Sequence, residues 1–585
     1  MTLTQSNASI EFNLSPDKVR EAISETIRVS CSHGEIITVL VYGFGVVGQE
    51  LCQALSGMPT INFIGVFDRI FTADSEVGYP IVLDLSAVSK VDLIIVTTAP
   101  HHYFFIEEFF ASVFGSTVGA ISVLYMFRQI PLEKRTVEDH FHEFRHLPRT
   151  YSLASEPSLV PFEENEAFCI APWLVMHCHP AGEVSLCCDS LEELSDAVGT
   201  PLNVQTHSMS EIWNSDAFKA VRRSMLAGKK IRYCAWCYAK ESLGLPSMRK
   251  NYLERWNHLM PSYDGLSSAD QAPSPRLFDM RLGNLCNVKC RICHPRFSSP
   301  IAADPVHRAW NMAPYIITEN RFGIKNWYQA PELVNELNDF FKELSWIQIS
   351  GGEPTLNCTI MEWLRNLVDK GFAKDIEIHF LTNCSTDQAE MISILKHFKS
   401  VSVTLSIDAF GKGNEYMRFP SKWSVVDANA HGLFAFQQSR SQVFINVCPT
   451  LTMYNTYGIE ELMEWAWSFK FPTTIGLVRG LPHLDPINLP PDTIDLAEKR
   501  ISNFISTLDS NIQGVNEMKL AAANLFSELG EACNSKNHRC IESFIQYTND
   551  LDRSRNQSFQ ESFPDVFGAV TQYYGPWQDT IRYYR

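Results

Sequence analysis

Three cysteines fall within eight residues in the stretch LGNLCNVKCRICHP: Cys286, Cys290 and Cys293, spaced C-x3-C-x2-C. Three thiolates supply three of the four outer ligands of a cubane iron–sulfur cluster and leave one iron open to a small molecule. A fourth cysteine ligand would close that iron. The same residues also allow a zinc site completed by His294, or plain core cysteines. Position favours the cluster. The triplet directly follows an apolar strand, LFDMRLG (277–283), at the strand end where loops build active sites in parallel α/β folds.

A second cysteine group precedes it, in FCIAPWLVMHCHPAGEVSLCCDS and IRYCAWCYAK. Cys169, Gly182 and Cys187 are spaced C-x12-G-x4-C, and Cys234 with Cys237 adds a C-x2-C. The glycine suits a tight hairpin turn between two cysteine-bearing segments. Four thiolates could fill every outer position of a second cluster or a structural zinc site. Cys188 could replace Cys187. Cys178, between His177 and His179, could serve as well, or these three could be ordinary strand residues. A third motif lies near the N-terminus. VYGFGVVGQEL places Gly43, Gly45 and Gly48 in G-x-G-x-x-G between a strand and a helix, and Asp68 ends the next strand. Glycines for a tight turn, a helix N-terminus for phosphate and a carboxylate for ribose make a dinucleotide fingerprint.

These residues need elements to hold them. At 585 residues the chain exceeds one core, so three or more domains are expected. Residues 1–34 read as a polar leader. Over 35–130, EIITVLVYG, INFIGVFD, VDLIIVTTA and GAISVLYMF read as buried strands, with VVGQELCQAL and FFIEEFFASV as helices between them. That alternation predicts a parallel sheet. Residues 131–165 read as a linker, 166–260 as the cysteine-rich module, and 261–276 as a second linker rich in Pro, Ser and Asp. From 277 to 490 six strands are expected, at 277–283, 346–352, 376–383, 402–409, 443–450 and 473–480. With helices between them they make a (βα)6 partial barrel. Residues 491–585 read as helical to about 533 and then as an aromatic tail. The fold class is α/β and multidomain.

Composition narrows the function. The formal net charge is −17, which argues against bulk nucleic-acid binding because phosphate backbones attract basic surfaces. The start lacks the basic-then-apolar order of a signal peptide. The longest apolar run, IITVLVYGFGVVG, is too short to span a bilayer. The expectation is a cytoplasmic protein without a membrane anchor. In a large intracellular chain, clusters among sixteen cysteines point to metal rather than disulfides.

The triplet, with Ile292 just before its last cysteine, resembles the radical S-adenosylmethionine (SAM) superfamily. SGGEPTL at the second strand matches that family's Gly-Gly-Glu motif at Gly351, Gly352 and Glu353. TN (Thr382, Asn383) ends the third strand. SID carries Ser406 and Asp408 on the fourth, followed by EYMR (Glu415 to Arg418). The resemblance spans 277–480. It implies a SAM-binding 4Fe–4S cluster on the triplet, a contact of the Gly-Gly-Glu motif with the SAM amino group, and ribose contacts from the SID strand. It also implies reductive cleavage of SAM to methionine and a 5′-deoxyadenosyl radical, with flavodoxin or ferredoxin as electron donor. The second cysteine group is similar to twitch and SPASM modules, here ahead of the barrel instead of after it. That implies an auxiliary 4Fe–4S cluster on Cys169, Cys187, Cys234 and Cys237. A fully ligated cluster suits accepting an electron, so oxidation or crosslinking of a peptide, sugar or small molecule is expected. The glycine-rich module is similar to Rossmann modules on some sugar-modifying enzymes, where a bound nucleotide, a docking role or NAD chemistry would fit. The competing expectation is a non-catalytic nucleotide-binding or iron–sulfur or zinc scaffold.

Overall fold

The computed structural model describes 37–42, 61–67, 93–96, 122–125, 141, 144, 146–151 and 159–577, apart from 198, 261–262, 267–271, 311–326, 341, 479–480, 510–514 and 533–537 within that last span. Met1–Glu143 and Phe144–Tyr584 form two compact units. In the first, β1 (Ile37–Tyr42), β2 (Ile61–Phe67), β3 (Leu93–Val96) and β4 (Ser122–Tyr125) form a parallel sheet in the order β2-β1-β3-β4. These are the four apolar runs of 35–130, and Val39 is fully buried. Gly43, Gly45, Gly48, Asp68 and the two helices expected here lie outside the described residues.

The second unit is built on a seven-stranded sheet. Its strands are β5 (Val175–Cys178), β6 (Val184–Ser185), β7 (Leu277–Arg281), β8 (Trp346–Ser350), β9 (Glu377–Thr382), β10 (Ser400–Leu405) and β11 (Val443–Val447). The order is β11-β10-β9-β8-β7-β5-β6. All pairings are parallel except the β5–β6 hairpin. The helices that bear on the site are α1 (Ala235–Ser242), α2 (Met248–Trp256), α3 (Cys358–Asp369), α4 (Gly411–Met417) and α5 (His538–Arg555). The cause is local in each element. Along β9, Ile378, Phe380 and Thr382 are buried and alternate with less buried Glu377, His379 and Leu381, the period of two that a pleated strand requires. In α3 the Asn357 side chain caps the start. Ile360, Leu364 and Leu367 recur at helical spacing and are buried.

Three expectations are corrected. Five of the six barrel strands join the main sheet without interruption, and the sixth is broken. It pairs in parallel with the chain that continues β11, through a bridge from Thr473 to Val447 and a two-residue strand, Gly476–Leu477, on Thr450–Leu451, with Thr474 N donating to Val447 O at 2.8 Å and Gly476 N to Pro449 O at 3.0 Å. The break falls at Pro449, which has no N–H to give to the ladder. The sheet grows on its other edge, where β5 of the cysteine-rich module pairs with β7. The aromatic tail is helical. α5 is followed by helices Phe559–Ser562 and Pro564–Tyr574, and Phe544, Tyr547 and Phe559 are buried in the core. The segment read as a first linker is packed where it is described. Arg149 forks onto Glu192, with Nε 3.0 Å and Nη2 2.6 Å from its oxygens, and Asn165 is buried.

One polar row crosses the sheet in register. His177 faces Asp279, Asp279 faces Gln348, and Gln348 faces His379. His177 Nδ1 lies 2.8 Å from Asp279 Oδ2, and Gln348 donates to Asp279 Oδ1 at 2.9 Å. Further along, Thr404 Oγ1 donates to Asn446 at 2.7 Å. The His379 Nε2 at 2.8 Å from that oxygen is therefore its donor. Burial lowers the pKa of His177, and lowers that of His379 and of His483 to about 4. Between the ordinary histidine pKa of about 6.5 and about 4, the unfolded chain binds more protons than the folded one. Stability therefore rises with pH through that window and falls on acidification. The expected result is a urea midpoint that drops steadily from pH 7 to pH 4.5 under anaerobic conditions. A flat midpoint would show that these imidazoles protonate freely in the fold.

Candidate iron–sulfur and SAM site

The loop after β7 carries the triplet. Its entry lies against the turn after β8: Leu282 N donates to Ser350 O at 3.1 Å, and Glu353 N donates to Leu285 O at 2.7 Å. Gly351 and Gly352 make this approach possible. Gly351 has φ +140°, and a Cβ there would stand 2.9 Å from Gly283 O. A Cβ on Gly352 would stand 2.1 Å from Leu285 O, well inside van der Waals contact. The rest of the loop is held by the end of α4. Lys289 N donates to Phe419 O at 2.5 Å, and Arg291 N to Met417 O at 2.9 Å.

Cys290 is buried, Cys286 and Cys293 are partly so, and all three are free thiols. Burial pushes Cys290 up to about 12 and raises Cys286 and Cys293 as well. Cys293 is raised further by its neighbours Cys290 and Cys286, so the loop brings the three together. Arg418 opposes this. Its Nη1 lies 3.7 Å from Cys290 Sγ, and Asp408 holds its Nε at 2.7 Å.

The two carboxylates that the sequence points to are engaged within the protein. Glu353 is 1% exposed. Its Oε1 accepts from Thr355 N at 3.3 Å, Thr355 Oγ1 at 2.6 Å and Thr382 Oγ1 at 2.9 Å, and its Oε2 accepts from Asn383 N at 2.7 Å. It ties the end of β8 to the end of β9. Burial raises its pKa against these bonds. Asp408 is fully buried, paired with Arg418, and accepts from Thr450 N at 3.0 Å. Asn383 Nδ2 donates to Asn287 Oδ1 at 2.8 Å, inside the cysteine loop. Ser406 N donates to Thr382 O at 2.8 Å. The structure thus gathers Gly351, Gly352, Glu353, Asn383, Ser406 and Asp408 at one end of the sheet, around the triplet.

The second group also converges. Gly182 has φ +90° in the turn between β5 and β6. Cys234 precedes α1, and Cys237 sits in its first turn. Cys169 neighbours Cys237, Cys187 neighbours Cys169 and Cys237, and Cys234 neighbours Cys169 and Cys237. Burial raises all four thiols, Cys169 to about 12 and Cys237 to about 11. Cys188 has Asp279, Asp189, Arg281 and Cys237 as its charged neighbours. Cys178 has Asp279 and Glu183 as its charged neighbours and no cysteine among them. Its flanking histidines are engaged elsewhere, His177 with Asp279 and His179 Nε2 with Ser185 Oγ at 2.8 Å.

Both groups fit iron–sulfur clusters. Buried thiols with raised pKa values are poor thiolates in isolation, and a metal centre inverts that balance. Cations flank each group: Arg418 beside Cys290, and Lys240 and Arg249 beside Cys237 and Cys169. Among the described residues no three His, Cys, Asp or Glu side chains converge on a point that could hold a single metal ion. A four-iron cube takes one thiolate per iron. Sequence reasoning missed Asp279, which depends on a pairing between distant strands, and the ion pair between Asp408 and Arg418, which forms as α4 carries Arg418 back to the end of β10.

Comparison with known proteins agrees with this geometry. Residues 280–452 match the radical SAM superfamily, and residues 169–238 match an iron–sulfur cluster-binding domain, SPASM. The SPASM domain lies before the radical SAM domain. Together they imply 4Fe–4S clusters and SAM, and the first supports an enzyme. Among solved structures, native anSMEcpe with bound AdoMet matches at 19% identity and TM-score 0.28, over 40% of this chain and 60% of that one. Streptococcus suis SuiB bound to precursor peptide SuiA matches at 14% identity and TM-score 0.28, over 50% of this chain and 64% of that one. The chain thus spans less than two thirds of either. The radical SAM methyltransferase TsrM from Kitasatospora setae matches at 10% identity and TM-score 0.26, over 80% of this chain and 75% of that one. No curated protein matches the chain. Among the described residues no helix is long and apolar enough to cross a membrane.

Proposed function

We propose that the chain is a radical SAM enzyme that oxidises or crosslinks a peptide, sugar or small molecule with the help of an auxiliary 4Fe–4S cluster. The observation that carries this is the assembly of the Cys286, Cys290 and Cys293 loop against the Gly351–Gly352 turn, beside Arg418. When bound, a cluster with an open iron and SAM supply a radical able to take hydrogen from an unactivated carbon. The residues of the chain do the rest. Cys286, Cys290 and Cys293 hold the first cluster, and Cys169, Cys187, Cys234 and Cys237 hold the second. Gly351 and Gly352 let backbone come close to the loop. Glu353 acts by position: it fixes Thr382 and Asn383, and Asn383 in turn holds Asn287. Asp408 aims Arg418 at the triplet. The row from His177 to Asn446 gives one face of the sheet a polar character suited to a polar substrate. Flavodoxin or ferredoxin is the expected reductant.

The test combines iron content with SAM turnover. Replacing Cys286, Cys290 and Cys293 by Ala should remove about four irons per chain from anaerobically reconstituted protein and abolish 5′-deoxyadenosine formation from SAM under dithionite, followed by mass spectrometry. Replacing Cys234 and Cys237 should lower iron while SAM cleavage persists. Reduced, iron-loaded parent protein that yields no 5′-deoxyadenosine would overturn the proposal. Zinc in place of iron on the second group would overturn the auxiliary cluster.

A further inference from the structure

The C-terminal helices pack onto the triplet loop. Tyr547 Oη on α5 donates to Arg291 O at 2.6 Å, between Cys290 and Cys293. The Arg291 guanidinium lies 3.5 Å over the Tyr416 ring, donates to Asp552 Oδ1 at 2.5 Å, and is fully buried. Arg555 is the last residue of α5. It is 6% exposed, its guanidinium carbon lies 5.6 Å from the centre of the Phe419 ring, and none of its Nε, Nη1 or Nη2 atoms has a hydrogen-bond partner.

A buried guanidinium with five donors and no acceptor is unfavourable unless a negative charge faces it. The carboxylates nearby are spent elsewhere. Asp304 receives Lys289 Nζ at 3.0 Å and Val306 N at 2.9 Å, and Asp552 receives Arg291 and Phe559 N. The C-terminal end of α5 carries partial negative charge, yet no carbonyl accepts from Arg555. Its charged surroundings include a second cation, Arg291, with Tyr547, Asp304 and Cys290, and its link to the triplet is through Phe419, which follows the Arg418 that lies 3.7 Å from Cys290 Sγ. Phe419, under the guanidinium, is the residue whose carbonyl holds Lys289 next to Cys290.

We propose that Arg555 is the buried counter-charge of the cluster on Cys286, Cys290 and Cys293, and that the C-terminal helix thereby sets how readily that cluster takes an electron. This rests on the proposed function above. Reduction adds one negative charge to the cluster, so a cation held within a dry site favours the reduced form. Arg418 is already neutralised by Asp408, and Arg291 by Asp552. Among the described residues, Arg555 is a buried cation with no carboxylate of its own. It is a positioning residue that acts through the cluster, and it gives the C-terminal extension a role in the chemistry.

The test is an EPR-monitored redox titration of full-length, anaerobically reconstituted protein. The triplet signal is identified by its loss when Cys286, Cys290 and Cys293 are replaced by Ala. Arg555→Leu should keep its iron and show about a tenfold lower ratio of reduced to oxidised cluster at fixed potential, a midpoint about 59 mV more negative for a one-electron couple. Arg555→Gln should shift in the same direction, and Arg555→Lys should stay near the parent. If Arg555→Leu does not fold, Arg555→Gln is read by the same rule. An unmoved midpoint in the uncharged variants, or an equal shift in Arg555→Lys, overturns the inference. Parent protein with no triplet signal overturns the proposed function instead.

Discussion

Gly352→Ala protein is expected to leave anaerobic reconstitution about four irons short and without SAM cleavage, while the iron on Cys169, Cys187, Cys234 and Cys237 remains. The new methyl carbon would stand 2.1 Å from Leu285 O, and its next neighbours are also backbone atoms, Leu285 C at 2.5 Å and Asn284 C at 2.7 Å. No side chain can rotate away, so one backbone must move. The Glu353 N bond to Leu285 O, at 2.7 Å, goes with it. Leu285 directly precedes Cys286, so the displacement reaches the first ligand of the triplet. Overpacking of this kind costs typically about 1–3 kcal/mol, too little to unfold a sheet of seven strands. The loss should therefore be local. Iron and sulfide assays with EPR on the parent, Gly352→Ala and the triple cysteine variant check it. Full iron with an unaltered triplet signal in Gly352→Ala would mean that the two backbones are not held together. Gly351→Ala should act similarly but less severely, since its nearest backbone contact is 2.9 Å.

This result would also explain why the site was legible in the sequence. The triplet and the two glycines are local motifs, and each does its work within a few residues of chain. Five main-sheet strands of the barrel were legible for a similar reason, because their apolar alternation is intrinsic to each segment. What the sequence did not reveal depends on pairing between remote segments. VMHC at 175–178 allows either ligand chemistry or plain strand residues, and the strand neighbour of His177, Asp279, lies too far along the chain for the sequence to choose. TTIGLVRG reads as an unbroken sixth strand, but its ladder on the chain beyond β11 is interrupted at Pro449, which has no N–H to give. Glu353 and Asp408 read as ligand contacts; their further partners Thr355, Thr382, Asn383, Arg418 and Thr450 come from the fold and carry no motif. Arg555 carries no motif at all. Only the packing of α5 places its buried guanidinium over Phe419, the residue after Arg418.

His177→Ala is expected to cost about 3 kcal/mol of stability, because it leaves a carboxylate buried without its partner. His177 and Asp279 are 0% and 1% exposed at the side chain, 2.8 Å apart, on the two strands that join the cysteine-rich module to the main sheet. Burial favours the neutral imidazole, against the pull of Asp279, and the imidazole in turn lowers the carboxyl. Asp279→Asn keeps the shape and leaves Gln348 a polar partner, so its cost should be smaller, about 1–2 kcal/mol. Replacing both residues by Leu removes the charge and the unpaired donor together. The double variant should then be more stable than the sum of the single losses implies, since residues in direct contact couple. Anaerobic urea titrations can be followed by tryptophan fluorescence, since Trp256 and Trp346 lie 6.1 Å apart at this junction. A structural join also predicts a second readout. Iron on Cys169, Cys187, Cys234 and Cys237 should become easier to remove by chelator in His177→Ala, because β5 lies in the segment between Cys169 and Cys187, while the triplet iron is retained. Additive losses with unchanged chelator resistance would show that the pair does not hold the module to the sheet.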